Sequence, residues 1–302
     1  MKLIVFSFLC LLSTQIMGGA LQQSNSKEKE TILWVKWKLL PEYIERGEFK
    51  NEGYLDKFLN YVNSKIPEYN HKYEYFPLSR VSKIWKEGNV CTIHLWLGFW
   101  SDKIIYSSSY GFTPKFGIIV KKDSKLDKEL RGKKSVSLKN LLAKTKYRLG
   151  ILPLFPAGET SSRYPHLKDY ISPYLNTNKV HEFRNSRNEL SVDYLDSDRV
   201  DYILRQRITH FSEMKINHIN KDIYTYYSID EETKYKLVAA ACSKGKLGKK
   251  IIGRVNEMIH QDQSMFNNYL KFRQIWDMGN VQFEDVYNQY FIKKVENPNI
   301  TK

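Results

Sequence analysis

The sequence predicts an α/β protein of two lobes, each a mostly parallel sheet flanked by helices. Three observations carry this. Short β-forming runs alternate with helical periodicities between residues 31 and 97, the order that belongs to sheets covered by helices. The same alternation restarts after Lys121. The chain has 302 residues, 42% of them apolar, enough for two cores at about 100 to 200 residues per domain.

In the first cycle, Thr31 to Trp37 is rich in β-formers and reads as a strand, broken by Leu39, Leu40 and Pro41. After Gly53, Leu55, Phe58, Leu59 and Val62 follow the spacing of an amphipathic helix that stops before Pro67. Lys72 to Phe76 is a second strand. Pro77 opens a helix with Val81, Ile84 and Trp85 on one face and Gly88 as its stop. Asn89 to Leu95 is the third strand, giving the order βαβαβ. Ligands collect at the carboxyl ends of strands in such a sheet.

In the second cycle, Asp123 to Lys134 reads as a polar stretch, and Leu138, Leu141 and Leu142 mark a short helix before a strand from Tyr147 to Leu152. Pro153, Pro156 and Gly158 form a loop, and Glu159, Thr160 and Ser161 can cap a helix carrying Tyr164, Leu167, Tyr170 and Ile171. Val180 to Phe183 reads as a strand, Asn188 to Leu195 as a helix, Val200 to Leu204 as a strand and Ile208 to Met214 as a helix. Tyr235 to Ala241 is apolar again. Two helices close the chain, Lys246 to Ile259 and Met265 to Trp276, with Phe283, Tyr287 and Tyr290 beyond as core or lid aromatics.

The amino terminus speaks to the compartment. Lys2 precedes an apolar run from Leu3 to Leu12, and Gly18 and Ala20 stand at cleavage-site spacing, so residues 1–20 read as a secretory signal peptide cleaved after Ala20. Ser13, Thr14 and Gln15 end the run well short of the roughly 20 apolar residues that span a bilayer. Residues 21–29 read as a flexible terminus. The whole chain carries +15; removing residues 1–20 takes one Lys and no acid and leaves +14. Export lets thiols pair and persist, and Cys91 and Cys242 are the two that remain after cleavage. A Cys91 to Cys242 disulfide is expected, against the alternative of two separate buried thiols. With no CxxC and seven scattered His, no metal site and no cofactor are expected.

Several segments in order resemble the bacterial extracellular solute-binding proteins of family 3, with the two-lobed periplasmic binding protein type II fold, in a divergent Cys-containing branch. They are the Trp34 to Tyr43 strand and loop ending in Pro41; Gly53-Tyr54-Leu55-Asp56; Phe76-Pro77-Leu78-Ser79-Arg80 leading to Glu87-Gly88-Asn89-Val90-Cys91; Asp102 to Tyr110; Asp198-Arg199-Val200-Asp201-Tyr202; and Ala241-Cys242-Ser243-Lys244. The resemblance implies a first lobe of residues 30–119 and 232–302, a second of 120–231, a two-strand hinge and closure around a ligand. It implies capture of a small polar solute, an amino acid or an organic anion, in the periplasm, for an ABC-type permease or a sensor, by a monomer.

The departures from that family bear on the ligand. Its amino-acid-binding members hold an α-carboxylate with an Arg after the third strand; Ser101 stands there here, with Lys103 as a possible monodentate donor. The acid that usually meets the amine is replaced by Arg205, Gln206 and Arg207. Lys36, Arg80, Lys103 and Arg205 together point to an anionic or strongly polar ligand. Trp37 and Tyr43 could stack on it, and Gly158, Glu159 and Thr160 could present backbone amides. Asp56 and Asp201 read as structural. No G-x-S-x-G elbow, P-loop or H-E-x-x-H occurs, so an enzyme is not expected; the alternative is a dehydratase-like or lytic enzyme on the same fold. The basic cluster Lys244, Lys246, Lys249, Lys250 and Arg254 raises nucleic acid as a partner, but export argues against it.

Overall fold

The computed structural model describes residues 28–144, 146–155, 162–184, 190–233, 235–261 and 264–277. The signal sequence, its cleavage site and the aromatics Phe283, Tyr287 and Tyr290 lie outside the described residues.

The first pass builds one sheet. β1 (Thr31–Lys36) pairs in parallel with β2 (Asn70–Tyr75), across the helix α1 (Tyr54–Ser64), whose Leu55, Phe58, Leu59 and Val62 are buried as their spacing requires. After α2 (Leu78–Ile84) and a 3₁₀ turn ending before Gly88, β3 (Val90–Trp96) lies parallel to β1 on its other side. Gly88 has φ of 72°, a left-handed stop that suits glycine. β4 (Ile104–Tyr106) and β5 (Gly111–Thr113) complete this pass.

The chain then changes sheets. β6 (Phe116–Lys121) opens the second, followed by α3 (Lys125–Leu130), β7 (Ser135–Val136), α4 (Leu138–Ala143), β8 (Leu149–Ile151), α5 (Lys168–Ile171), β9 (Val180–Glu182), α6 (Asp193–Asp196), β10 (Tyr202–Gln206), α7 (Arg207–Ile216) and β11 (Tyr224–Ile229). It returns to the first sheet as β12 (Lys236–Ser243) and ends, among the described residues, in α8 (Lys246–Gln261) and α9 (Ser264–Asp277).

The first sheet has the order β2-β1-β3-β12-β4 with β5 also on β12, and the second the order β7-β11-β6-β10-β8-β9. β12 runs antiparallel to β3, β4 and β5, and β6 antiparallel to β10 and β11. Each sheet is therefore mixed where a mostly parallel one was expected. The physical reason is that the strands on which the chain crosses arrive from the other sheet and so run against their new neighbours. Trp34, Phe58 and Tyr269 anchor the first core, and Leu142, Leu149 and Tyr202 the second.

Further departures are local. The polar stretch 123–134 contains α3, which Ser124 caps by accepting a hydrogen bond from the Asp127 N–H at 3.2 Å, and whose burial rests on Leu126 and Leu130. Two buried apolar positions are too few for an amphipathic stripe to show in sequence. β6 and β11, unread in the sequence, pair with each other along Phe116–Lys121 and Tyr224–Ile229. The helix expected after Glu159 forms only as α5, since 163–167, with Tyr164 and Leu167, are bends and turns while 156–161 lie outside the described residues; of the helix expected over 188–195 the structure has α6, Asp193–Asp196.

Candidate functional site

The loop after β1 is held tightly against the start of α1. Its Pro41 and Glu42 carbonyls accept from the Tyr54 and Leu55 N–H groups at 3.1 and 3.0 Å. A Cβ on Gly53 would stand 2.4 Å from the Glu42 carbonyl oxygen, so this close approach admits glycine alone without displacement. In the first turn of α1, Asp56 accepts from the Ile44 N–H at 2.9 Å and from Lys36 Nζ at 2.7 Å. The loop is thereby fixed at both ends.

Between the two sheets lies a cavity of about 90 Å³. From the first sheet and its loop come Trp37, Leu39, Glu42, His94, Trp96, Phe99 and Thr113; from the second come Arg163 and Gln206. A neighbouring cavity shares Leu39, Trp96, Arg163 and Gln206 and adds Arg205, Leu204 and Thr209. The walls of the first cavity are aromatic: the Trp96 and Phe99 rings meet at 6.0 Å edge to face, and Trp96 Nε1 donates to Thr113 Oγ1 at 2.7 Å, tying the ends of β3 and β5 together. At the base, His94 Nε2 lies 3.8 Å from Glu42 Oε1, which accepts from the Tyr54 hydroxyl at 3.2 Å. Burial, opposed by the Tyr54 hydrogen bond and the Arg273 charge, pushes the Glu42 carboxyl up to about 8. Burial and the Arg273 charge pull His94 down to about 3. Burial also lowers Arg163.

The structure sorts the residues singled out in sequence. Trp37 lines the first cavity, Arg205 the second, and Gln206 both. Tyr43 is buried behind Trp37, edge to face at 6.1 Å, and does not line the cavity. Arg80 is exposed, its guanidinium 5.3 Å from the Phe76 ring, and neither it nor Lys103 lines either cavity. Lys36 is committed to Asp56, and Arg205 to Glu213 on α7. Gly158, Glu159 and Thr160 lie outside the described residues. Asp201 accepts from the Arg148 backbone and guanidinium at 2.7 and 3.1 Å. Glu42, His94, Trp96, Phe99 and Arg163 escaped the sequence reading. Two signals were available, a charged residue directly after Pro41 and a His inside a mostly apolar strand.

Among the described residues no three His, Cys, Asp or Glu side chains are grouped as metal ligands would be. Cys91 and Cys242 face each other across the β3–β12 ladder and form a disulfide.

Two mixed sheets flanked by helices, joined by two crossings and enclosing a cleft, define the periplasmic binding protein type II fold that the resemblance implied. No protein-family model and no curated protein matches the chain. Solved structures do. The substrate binding protein of an amino acid ABC transporter matches at 16% identity over 82% of this chain and 98% of its own, with a TM-score of 0.56. A structure concerned with glutathione import via GshT and the cystine ABC importer TcyBC of Streptococcus mutans matches at 14% identity, over 83% and 96%, with a TM-score of 0.59. A histidine kinase sensor domain with similarity to periplasmic binding proteins matches at 11%, over 82% and 96%, at 0.55. At such identities the likeness is one of fold.

Proposed function

We propose that this chain is an exported solute-binding protein that takes a small polar solute into the cleft between its sheets and delivers it to an ABC-type permease or a sensor. The observation that carries the reading is a cleft lined from both sheets, with Trp37 and His94 on one side and Arg163 and Gln206 on the other. The lobes, expected as residues 30–119 with 232–302 and as 120–231, close about the crossings between Thr113 and Phe116 and between Ile229 and Lys236, which moves the first boundary from 119 to before Phe116 because β6 belongs to the second sheet. Export rests on the apolar run Leu3 to Leu12 and the small residues before Leu21. Lys36 and Arg205, two of the cations that pointed to an anionic or strongly polar solute, are ion-paired to Asp56 and Glu213.

The test is a thermal-shift screen of the secreted chain against amino acids, organic acids and phosphorylated metabolites, followed by tryptophan fluorescence titration. A true solute raises the melting temperature and perturbs the emission of Trp37 and Trp96. At 100 times its Kd it adds about 2.7 kcal/mol of stability. A Gln206→Ala chain that folds normally is expected to bind it at least tenfold more weakly. Product formation from any binding metabolite would instead favour the enzyme reading.

A further inference from the structure

By connection, α7 belongs to the second sheet. It starts where β10 ends, with Gln206 at its N-cap, and its Glu213 is ion-paired to Arg205 on β10. Its Met214 is buried with Ile119, Ile203 and Tyr224 of that sheet. Ile208, in contrast, is 3% exposed and buried in the first core, and Ile216 packs against the same core. Helical periodicity puts Ile208, Lys215 and Ile216 within about 100° of arc, with His210 and Met214 on the opposite side. The helix therefore divides its apolar residues between two cores, and parting the sheets about the crossings takes one set from its seat.

The far end of α7 rests on elements of the first sheet. Lys215 Nζ stands 4.9 Å from the Trp276 ring centroid on α9 and 5.7 Å from that of Phe49, within the range at which a cation is drawn to a ring face. Those rings hold each other: they meet edge to face at 5.7 Å, and Trp276 Nε1 donates to the Glu52 carbonyl at 3.2 Å. Past the helix end, His218 Nε2 lies 3.5 Å from Glu48 Oε2, a pair too exposed to add much. Glu48, Phe49 and Glu52 lie in the loop after β1 whose Leu39 and Glu42 line the cleft, and at the near end of α7 Gln206 and Thr209 line it from the other side. Ile208, Lys215 and Ile216 line neither cavity.

We propose, resting on the two-lobe reading above, that α7 is a clasp: Ile208 and Ile216 seated in the first core, with Lys215 over Trp276 and Phe49, hold the lobes closed through contacts the chain makes with itself. These contacts belong to the closed arrangement alone, so they set the closed fraction before any solute arrives. Because a solute is held between the lobes, its apparent Kd is its intrinsic value divided by that fraction. Residues that never touch the solute thereby tune how tightly it is held.

The test reads the distance between lobes in the secreted chain without a solute. With Cys91 and Cys242 bonded, that chain has no other cysteine, so Lys65→Cys in the first lobe and Lys128→Cys in the second, both exposed, each accept a spin label. Double electron–electron resonance on this labelled chain is expected to give one short-distance population. Lys215→Glu with Ile216→Asn should move most molecules into a longer one and raise the radius of gyration in solution scattering. Lys215→Ala alone, a surface change that leaves both cores intact, should give a smaller shift the same way. Distances and scattering that stay parental in both variants, while circular dichroism shows them folded, would mean that α7 travels with the first lobe, and the inference falls. A solute found in the metabolite panel should bind the double variant more weakly, by the factor through which the closed fraction drops, and should restore the short distance; equal affinity for both chains also overturns the clasp. Failure of the clasp with such a solute in hand leaves the solute-binding reading standing, whereas a panel without a hit removes that reading and leaves the distances to decide the clasp.

Discussion

His210 and His94 show how burial sets the pH response of single residues. Each ring is almost fully buried, and burial with a neighbouring Arg charge pulls each to about 3. A histidine lowered in the folded state leaves the unfolded chain to bind protons first. Stability is therefore complete above the ordinary histidine value near 6.5 and is lost as pH falls from there towards 3. Glu42 has the opposite sign: its raised carboxyl makes stability fall as pH climbs from its ordinary value of 4.5 to about 8. Urea titrations of His210→Leu should show a shallower acid decline than the parent, by up to about 1.4 kcal/mol per pH unit within that window. An unchanged acid limb would mean that His210 is not held neutral.

At the scale of elements, the buried pair of Lys36 on β1 and Asp56 on α1 sets where the cleft loop begins and ends. Lys36 Nζ stands 5.1 Å from the Tyr73 ring centroid and 5.5 Å from that of Tyr43, so its charge is enclosed by apolar faces and answered by one carboxylate. Removing that carboxylate leaves a buried charge without compensation. Asp56→Ala should lower unfolding free energy by about 3 to 5 kcal/mol, and the double substitution Lys36→Met with Asp56→Leu by clearly less. Equal losses in urea unfolding would show that the pair acts through packing rather than charge. The sequence marked Asp56 as structural but placed Lys36 among the ligand's cations, because a lysine beside a cleft aromatic looks the same whether its charge is spent or free. The strong amphipathic helices α1 and α8 were legible from their apolar spacing. Short elements such as α3, β7 and β11 were not, since their order comes from neighbours far along the chain.

Across the whole molecule, the Cys91–Cys242 bond ties the returning segment to the first pass at a sequence separation of 151. Cross-linking over a loop of that length removes denatured-chain entropy worth about 4 to 5 kcal/mol in the simplest account. Replacing both cysteines by Ala should lower unfolding free energy by about 2 to 5 kcal/mol in urea without changing the melting shift a bound solute produces, because neither cysteine lines the cleft, whose β3 residues stand at the far end of that strand. A lost ligand response would place the bond in the binding machinery.

The apolar periodicities and the order of short strands and helices determined that this chain is a two-lobed α/β protein, for those patterns record which face of each element avoids water. The pairing of Cys91 with Cys242 was expected as well, from the compartment and their place at the ends of apolar segments. Only the tertiary structure decided which residues line the cleft. Glu42, the β3 pair His94 and Trp96, and Arg163 come from three separate stretches, and whether a charge is spent on a neighbour, as those of Lys36 and Arg205 are, depends on distances that no local pattern encodes.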